Sequence, residues 1–168
     1  MDSVALLSAV RYYLSTDATL RNSNHLNAST EAAARNKILI KDGTTVSIDG
    51  NYSFPIICLK LNDGEAVALP TNEEFLELMI INTTKGSAVN QYPLTICTRI
   101  KDRLKYLMAN KCSSDDKHVS INVQGQLLGT NPKVRGMFWV SALTYDDKEQ
   151  GSERLHRINC VVQMIVGD

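Results

Sequence analysis

The sequence predicts an α+β fold with an antiparallel or mixed β-sheet of about four main strands, covered on one face by two α-helices, plus an extra β-hairpin. Two segments, one near the start and one in the middle of the chain, carry apolar residues at helical spacing. The segments with a period of two lie in groups, and they do not alternate with helices as βαβ units do. At 168 residues the chain has the usual size of one domain. We therefore expect a single domain over residues 1–168, with residues 21–48 as a loop and hairpin elaboration.

The first helix is predicted over residues 3–14, where apolar residues recur at spacings of three, three and four. Asp17 is expected to cap a further short turn that runs to Leu20. Residues 21–36 are rich in Asn, Ser and Thr, and we interpret them as a loop with one helical turn over residues 31–35. Because this composition buries little apolar surface, we expect the segment to become ordered only on assembly.

The next part of the chain begins with a predicted hairpin over residues 37–48, which turns at the Asp-Gly pair 42–43. An Asp-Gly pair suits the positive φ angles of a type I′ turn. Residues 56–61 form a nearly continuous apolar run, which is typical of a strand covered on both faces. We interpret residues 62–72 as an acidic loop and residues 73–82, where Glu alternates with apolar residues, as the next strand.

The clearest helix is predicted over residues 91–110, where apolar side chains recur at helical spacing and basic ones occupy the opposite side. Three more strands are predicted after it, over residues 119–123, 137–145 and 157–166. The last two form a long hairpin whose charged tip spans residues 146–153. This tip and the loop over residues 83–90 exceed the usual length of about two to six residues for such connections. Long exposed loops commonly carry binding function.

The charge of the chain is balanced, with 18 Lys and Arg residues against 18 Asp and Glu residues. Tight binding of nucleic acid or an anionic membrane needs an excess of clustered cations, so this balance argues against both. A net charge near zero also leaves self-association unopposed. The sequence has neither a long apolar run nor a basic and then apolar leader, so we expect no membrane span and no secretory signal. The four cysteines form no CxxC pair, and we interpret them as reduced, mostly buried thiols of a protein made in the cytoplasm.

The sequence contains no spacing typical of a metal or nucleotide site. The three histidines (His25, His118 and His156) form no metal-binding motif, and Cys112 lies too far from His118 for a zinc half-site. No glycine pattern of a nucleotide-binding loop occurs. We therefore assign no catalytic, metal or cofactor site from the sequence motifs. A small α+β enzyme or ligand-binding domain, with a site assembled from residues far apart in the sequence, is an alternative.

Two features bear on contact with another protein. The 91–110 helix carries four basic residues, but Arg99 and Lys101 point about 200° apart on a helix, so they form no single cationic patch. A solvated helix face is the first interpretation of this side, and a subunit contact is the second. Trp139 is expected either to pack in the core or to anchor an interface, since tryptophan contributes large buried area and is enriched at interface hot spots.

The order of these segments resembles that of a known family. A first helix ending near LSTDATL is followed by the strand FPIICLKL, in which a proline leads the apolar run. The strand EEFLELMIINTTKGSA leads into the helix YPLTICTRIKDRLKYLMA, and the strands MFWVSALTYDD and RLHRINCVVQMIV close the chain. Over residues 3–20 and 54–166 this order is similar to that of the tail terminator, or tail completion, proteins of tailed bacteriophages. Residues 21–36 and 37–48 depart from the family pattern as insertions.

The resemblance implies a structural virion protein of the head–tail neck rather than an enzyme. Such proteins form a ring, usually a hexamer, at the head-proximal end of the tail tube, where they stop tube polymerisation and join the tail to the head connector. The implied partners are further copies of the chain, the tail tube protein and the connector or other neck proteins, while DNA passes through the lumen without specific binding. No cofactor and no membrane is implied. Another neck component, such as a stopper or connector adaptor, is the alternative within the same class.

The same resemblance points to the two long loops as subunit or partner contacts, because a ring requires different surfaces of each subunit to meet. Trp139 and the C-terminal strands are expected to support these loops. The contact residues that follow from this reasoning are Lys85, Val89, Trp139, Asp146, Asp147, Lys148, Glu149, Glu153 and Arg154.

Overall fold

The computed structural model describes residues 3–48, 50–62, 66–68, 71–83, 93–108, 111–112, 133–146 and 154–167. The described helices are α1 (Ser3–Thr16), α2 (Ala18–Arg21), α3 (Glu31–Lys37) and α4 (Pro93–Met108). The described strands are β1 (Ile38–Ile40), β2 (Ile56–Asn62), β3 (Ala66–Ala68), β4 (Thr71–Thr83), β5 (Lys111–Cys112), β6 (Lys133–Asp146) and β7 (Leu155–Gly167). Strands lie in groups between few helices, and the predicted α+β class is confirmed.

The seven described strands form one mixed sheet in the order β1-β2-β4-β7-β6-β5, with β3 paired to β4. Within it β1 and β2 run parallel, and the other described pairs run antiparallel. The long strands β2, β4, β7 and β6 occupy consecutive positions, which confirms the prediction of about four main strands. Strand β7 lies between β4 and β6 and pairs with both over nearly its whole length.

Both long helices cover the same face of the sheet, as the sequence predicts. From α1, Leu6, Val10 and Leu14 are fully buried in the main core. From α4, Ile100 and Leu104 are fully buried in the same core. They meet alternate residues of the strands, namely Ile57, Leu59, Leu76, Leu78, Ile80, Ile158, Cys160, Val162 and Met164. Since each buried leucine contributes about 2 kcal/mol, this layer accounts for most of the apolar stabilisation of the domain.

The residue that begins the short helix α2 also links this helix to α4. Its N-cap is Asp17, whose carboxylate accepts a hydrogen bond from the backbone N–H of Leu20 at 2.7 Å. The same carboxylate accepts hydrogen bonds from Nε of Arg103 at 2.9 Å and from Nη2 of Arg103 at 2.6 Å. Burial opposes ionisation of Asp17, but the hydrogen bonds from Arg103 and Leu20 and the guanidinium charge hold the pKa of Asp17 below its usual value. The predicted cap is thus confirmed. Asp17 also forms an ion pair with Arg103, which joins two helices that are far apart in the sequence.

The extra hairpin predicted over residues 37–48 is wrong. Ile38–Ile40 forms β1, which pairs in parallel with β2, and the Asp-Gly pair leads into a 3-10 turn over Gly43–Thr45. The chain then buries Val46 and Ile48 in a second apolar cluster, on the sheet face opposite the helices. Pairing with a distant strand and burial of two apolar side chains outweigh the local preference for a tight turn.

A close approach between two segments accounts for the glycine in this Asp-Gly pair. Asp42 caps the 3-10 turn by accepting a hydrogen bond from the backbone N–H of Thr44 at 2.9 Å. A Cβ atom on Gly43 would lie 2.6 Å from Sδ and 2.9 Å from Cβ of Met79. Glycine therefore allows the turn to lie directly on the sheet.

The polar segment over residues 21–36 packs against the domain within the single chain, so the expectation that it orders only on assembly is wrong. Leu26, Ala28 and Ala34 are buried in the main core. The backbone N–H of Leu26 donates to the carbonyl of Leu20 at 3.0 Å, and the predicted helical turn is present as α3. A few well-placed apolar side chains anchor the segment even though its average composition is polar.

Most of the other predicted elements are confirmed. The helix predicted over residues 91–110 and the strands predicted over residues 56–61, 73–82, 137–145 and 157–166 are present as α4, β2, β4, β6 and β7. The described helices include none that is long and apolar enough to cross a membrane.

Three other predicted segments differ from the structure or lie outside the residues that it describes. The acidic loop predicted over residues 62–72 contains β3, which pairs antiparallel with the first residues of β4, so this interpretation is wrong for those residues. The strand predicted over residues 119–123 lies outside the described residues. The loop predicted over residues 83–90 also lies outside them, except for Thr83 at the end of β4.

Candidate functional site: an exposed strand and a cationic groove

The second half of β6 carries exposed side chains on both faces of the sheet. The five consecutive residues 140–144 are all exposed, although they belong to a long regular strand. Val140 retains 52% and Leu143 retains 66% of its accessible surface. Large apolar side chains that a regular strand leaves exposed can contribute to a surface that another protein covers. We refer to residues 140–144 as the exposed strand segment.

A β-bulge begins this exposed strand segment. Trp139 pairs with Val162, and the next paired residue, Ser141, faces Val161, so Val140 is the additional residue of the bulge. A bulge reverses the alternation of side chains along the strand that carries it. Leu143 consequently points to the face opposite the helices, where it lies across from Asn159 of β7.

The backbone of the same segment lies at an edge of the sheet. Strand β6 pairs with β7 along its length, but it pairs with β5 only at Met137 and Gly136. Within the described part of the chain, the outer edge of β6 beyond residue 137 therefore has no strand partner. Such an edge presents N–H and carbonyl groups that can pair with a second chain.

Trp139 lies at the junction between this segment and the core. Its side chain is half-buried and packs against the main core, on the same face as the helices. The structure thus supports the core interpretation of Trp139, and its predicted role beside an interface remains a prediction. In this position the indole ring stabilises the base of the exposed strand segment.

A groove of about 760 Å³ lies beside the strand, where the first half of α4 meets the start of β7. We call it the cationic groove. It is lined by Pro93, Leu94, Thr95, Thr98, Arg99, Arg154 and His156. The backbone carbonyl of His156 accepts a hydrogen bond from the Cys97 thiol at a distance of 3.9 Å, which joins β7 to α4 at the groove. His156 also pairs with Asp146, the last residue of β6, so the groove and the exposed strand segment are neighbours.

The amphipathic pattern of α4 places Arg99 at this groove. The buried side of the helix carries Ile96 and Ile100, and Arg99 is exposed beside them. Burial, followed by the charges of Arg99 and Arg103, lowers the pKa of His25. The groove lining therefore combines apolar side chains with two threonine hydroxyl groups and two guanidinium groups.

Two further basic residues of α4 take part in ion pairs. Lys101 lies 3.0 Å from Asp102, and Arg103 pairs with Asp17. As predicted, Arg99 and Lys101 do not belong to one cationic patch. Among the basic residues of α4, Arg99 lines the groove.

The contact residues proposed from the sequence divide into two groups. Arg154 is exposed and lines the cationic groove, and Asp146 ends β6 next to it. Outside the described residues lie Lys85, Val89, Asp147, Lys148, Glu149 and Glu153. The sequence analysis did not single out Val140 and Leu143. Their separation by three positions breaks the period of two, and that break was the available sign of a bulge.

Three cysteines are poorly suited to nucleophilic chemistry. Cys58, Cys97 and Cys160 are buried free thiols. Burial raises the pKa of Cys58 to about 11 and the pKa values of Cys97 and Cys160 to about 12. These thiols are therefore protonated at neutral pH. Among the residues that the structure describes, no three His, Cys, Asp or Glu side chains are grouped so that they could hold a metal ion.

The comparisons with known proteins find a similar structure but no similar sequence. No family model and no curated protein matches the sequence. Eight chains of solved structures match the fold. One of them belongs to the structure described as "Virion of native gene transfer agent (GTA) particle", with a TM-score of 0.53 and 12% sequence identity. The match covers 99% of this chain and 97% of that chain. At this identity, the similarity shows that the two chains share a fold.

Proposed function

We propose that this protein is a structural virion subunit that forms a ring at the head-proximal end of a phage tail tube, where it stops tube polymerisation and joins the tail to the head connector. The observation that carries the proposal is the fold similarity to a chain of a virion particle, which spans 99% of one chain and 97% of the other. The similarity therefore concerns the arrangement of nearly all the elements of both chains. The resemblance of segment order to tail terminator proteins supports the same class of function.

The surface of the described residues is compatible with ring formation. A closed ring needs a heterologous contact, in which two different surfaces of the subunit meet. The exposed strand segment supplies apolar side chains at an edge that has no strand partner among the described residues, and the cationic groove supplies a concave surface. The formal net charge of zero leaves their association unopposed by overall repulsion.

The charge distribution is compatible with a lumen through which DNA passes without specific binding. Several cations are held in ion pairs, among them Arg35 with Glu31, Lys60 with Asp42 and Arg103 with Asp17. Paired cations contribute little to the release of counterions from DNA, which dominates affinity. We therefore propose that the partners are further copies of the chain, the tail tube protein and the head connector, in the neck of a virion.

The first test measures the mass of the purified protein by light scattering over a concentration series, alone and with the tail tube protein of the same virus. The expected result is a particle close to six times the 18.6 kDa chain, and a ring at one end of each tube in electron micrographs. Tubes should also be shorter and more uniform when the protein is present. A protein that stays monomeric with tubes, and leaves their length unchanged, would contradict the proposal. Binding to the connector without binding to tubes would instead assign it to a stopper or adaptor.

A further inference from the structure

The two outer strands of the sheet carry exposed apolar side chains. Strand β1 ends the sheet on one side, and on the other side β6 lies at the edge beyond its short pairing with β5. Among the described residues, five large apolar side chains are exposed, and three of them (Ile40, Val140 and Leu143) lie on these two strands. We propose that residues 142–144 of one subunit pair edge to edge, as antiparallel strands, with residues 38–40 of the next subunit in the ring. This inference rests on the proposed function, because it names the contact by which the ring closes.

Neither edge carries the usual protection against strand pairing. Edge strands of proteins that stay monomeric commonly contain charged residues or proline. Residues 140–144 (VSALT) and residues 38–40 (ILI) contain neither. Residues 142–144 also lie after the bulge at Val140 and beyond the two positions of β6 that pair with β5. Both edges therefore offer a regular backbone with apolar side chains to a second strand.

The strand directions favour pairing between copies of the chain. Strand β1 runs parallel to β2, and the direction reverses at each step from β2 to β4, from β4 to β7 and from β7 to β6. Strand β6 therefore runs opposite to β1. In a ring whose axis lies along the strands, all copies keep the same strand direction, so β6 of one copy meets β1 of the next in the antiparallel sense. The two edges are different surfaces, as a closed heterologous ring requires.

The backbone groups of β1 point outward at Ile40. The N–H of Lys41 donates to the carbonyl of Leu59 at 3.1 Å, so Lys41 directs its backbone groups toward β2. Successive residues of a strand alternate in this direction, so the N–H and carbonyl of Ile40 point away from the sheet. The side chain of Ile40 lies on the face covered by α1 and α4, as does that of its β2 partner Leu59.

The matching groups of β6 point outward at Ala142. Ala142 pairs with Cys160, whose side chain lies in the main core, so Ala142 is on the same helix-covered face as Ile40. Turning a strand end for end within the plane of a sheet reverses the side to which the residues of one face direct their backbone groups. Since β6 runs opposite to β1 and lies at the opposite edge, the N–H and carbonyl of Ala142 also point away from the sheet. Ile40 and Ala142 can therefore form a hydrogen-bonded pair between subunits.

The side chains favour the same register. Pairing Ile40 with Ala142 places Leu39 across from Leu143 on the other face of the sheet. Leu39 is half-buried against the second apolar cluster, and Leu143 is 66% exposed. This register therefore continues the second apolar cluster across the boundary between subunits and covers Leu143. A shift by one residue would place the paired side chains on opposite faces.

Proline substitutions test the backbone pairing in the full chain. Ala142→Pro removes an N–H that points away from β7, so the urea midpoint of the subunit should change little. The protein concentration at half assembly, measured by light scattering, should rise about tenfold or more because the contact loses a ladder bond and meets the proline ring. Leu143→Pro is the matched control. Its N–H points toward β7, so this variant should lower the urea midpoint.

A disulfide between subunits tests the register without relying on proline. Leu39→Cys and Leu143→Cys place two thiols at a non-hydrogen-bonded position of the new pair, where opposite side chains approach most closely. The substitutions are made together with Cys112→Ser, because the other three native cysteines are buried. Mild oxidation of the chain that carries both thiols should give a ladder of covalent species up to the full ring on a gel without reductant.

Two controls define the partner and the face. A mixture of the two single-thiol variants should give covalent dimers and no longer species, because each link then uses the only introduced thiol of each chain. The pair Ile40→Cys and Leu143→Cys, which places the thiols on opposite faces of the sheet, should stay unlinked. Where rings form only on tubes, all these measurements are made with the tail tube protein present.

Several results would overturn the inference. If Ala142→Pro assembles like the wild type and the paired thiols stay unlinked in rings, the edges are not the contact, although the proposed ring function stands. Covalent dimers of the Leu143→Cys variant alone would assign the β6 edge to a two-fold contact, and links from position 143 to the tail tube protein would assign it to the tube. A wild-type protein that forms no ring, with or without tubes, would remove both the inference and the proposed function.

Discussion

Replacing Asp17 with alanine is expected to lower the free energy of unfolding by about 2–3 kcal/mol. The Asp17 carboxylate caps α2 through the N–H of Leu20 at 2.7 Å and holds Arg103 at 2.9 and 2.6 Å. Loss of the cap costs about 1 kcal/mol, and loss of hydrogen bonds between charged groups costs about 1.5–3 kcal/mol. The side chains of Arg103 and Asp17 are 24% and 14% exposed, so solvent screens part of the ion pair and the lower end of that range applies.

Two further variants divide this loss into its parts. Asp17→Ser keeps an oxygen for the cap and loses the charge, so it should lose about 1–2 kcal/mol. Arg103→Met removes the guanidinium and leaves the cap, and a double-mutant cycle with Asp17→Ser should give a coupling of about 1 kcal/mol. Urea denaturation measures each value through the fluorescence of Trp139, the single tryptophan of the chain. An Asp17→Ala protein within about 0.5 kcal/mol of the wild type would refute the reasoning.

The pH dependence provides an independent check of the same pair. The pKa of Asp17 is lower in the folded protein than its ordinary value, so the folded state releases this proton more readily than the unfolded state does. The stabilisation is therefore complete well above the ordinary pKa of about 4, and it is lost as the pH falls through the lower pKa of the folded state. The difference in stability between the wild type and Asp17→Ser should narrow below about pH 4. A difference that stays constant from neutral pH into this range would contradict the ion pair as its source.

Three other expectations concern the sheet and the candidate interface. Gly43→Ala should destabilise the protein by about 1–2 kcal/mol in urea, since the added methyl group meets Met79; an unchanged midpoint would mean that the turn moves freely. Replacing Val140 and Leu143 together by serine should change the free energy of unfolding by less than about 0.5 kcal/mol, because both are exposed, yet weaken assembly about tenfold. Light scattering measures assembly and urea titration measures the free energy of unfolding of the same sample. A large loss of stability in this variant would contradict the expectation. Burial raises the pKa of Cys97 to about 12, so its alkylation by iodoacetamide at pH 8 should be at least about a hundredfold slower in the folded protein than in urea, and equal rates would contradict its burial.

The elements that could be predicted from the sequence are those whose own side chains define a buried face. The helix α4 shows its apolar stripe without reference to any partner, and β4 places Leu76, Leu78 and Ile80 at alternate positions. The paired strands β6 and β7 were predictable because they follow each other directly in the sequence as two apolar segments on either side of one charged connection. In each of these cases, local pattern and final packing agree.

Elements that depend on distant partners could not be predicted. The segment over residues 37–48 contains a strong local turn signal, but its apolar residues are buried against β2 and β4, which follow later in the chain. The segment over residues 21–36 is polar on average, and nothing in its composition shows that Leu26 reaches the main core. Averages over a window hide single anchoring side chains.

The candidate site was predictable only in part for the same reason. The charge and length of the tip over residues 146–153 are visible in the sequence, and Arg154 was proposed as a contact from them. The cationic groove combines residues of α4 with residues of β7, and only the fold brings them together. The exposed strand segment could not be predicted from the sequence, because the bulge at Val140 shifts the alternation of inward and outward side chains.

The central place of β7 in the sheet has a consequence for how the protein is made. Thr71 pairs with Gly167 and Thr83 pairs with Leu155, so the middle of the sheet joins residues from opposite halves of the chain. A nascent polypeptide that ends before residue 155 therefore has β4 and β6 without the strand that lies between them. Pairing over such sequence distances is slow compared with helix formation, and it cannot begin until the ribosome has released this strand. The subunit thus acquires its sheet only after residues 155–167 have been translated, and growing chains held on neighbouring ribosomes cannot enter an assembly before that moment.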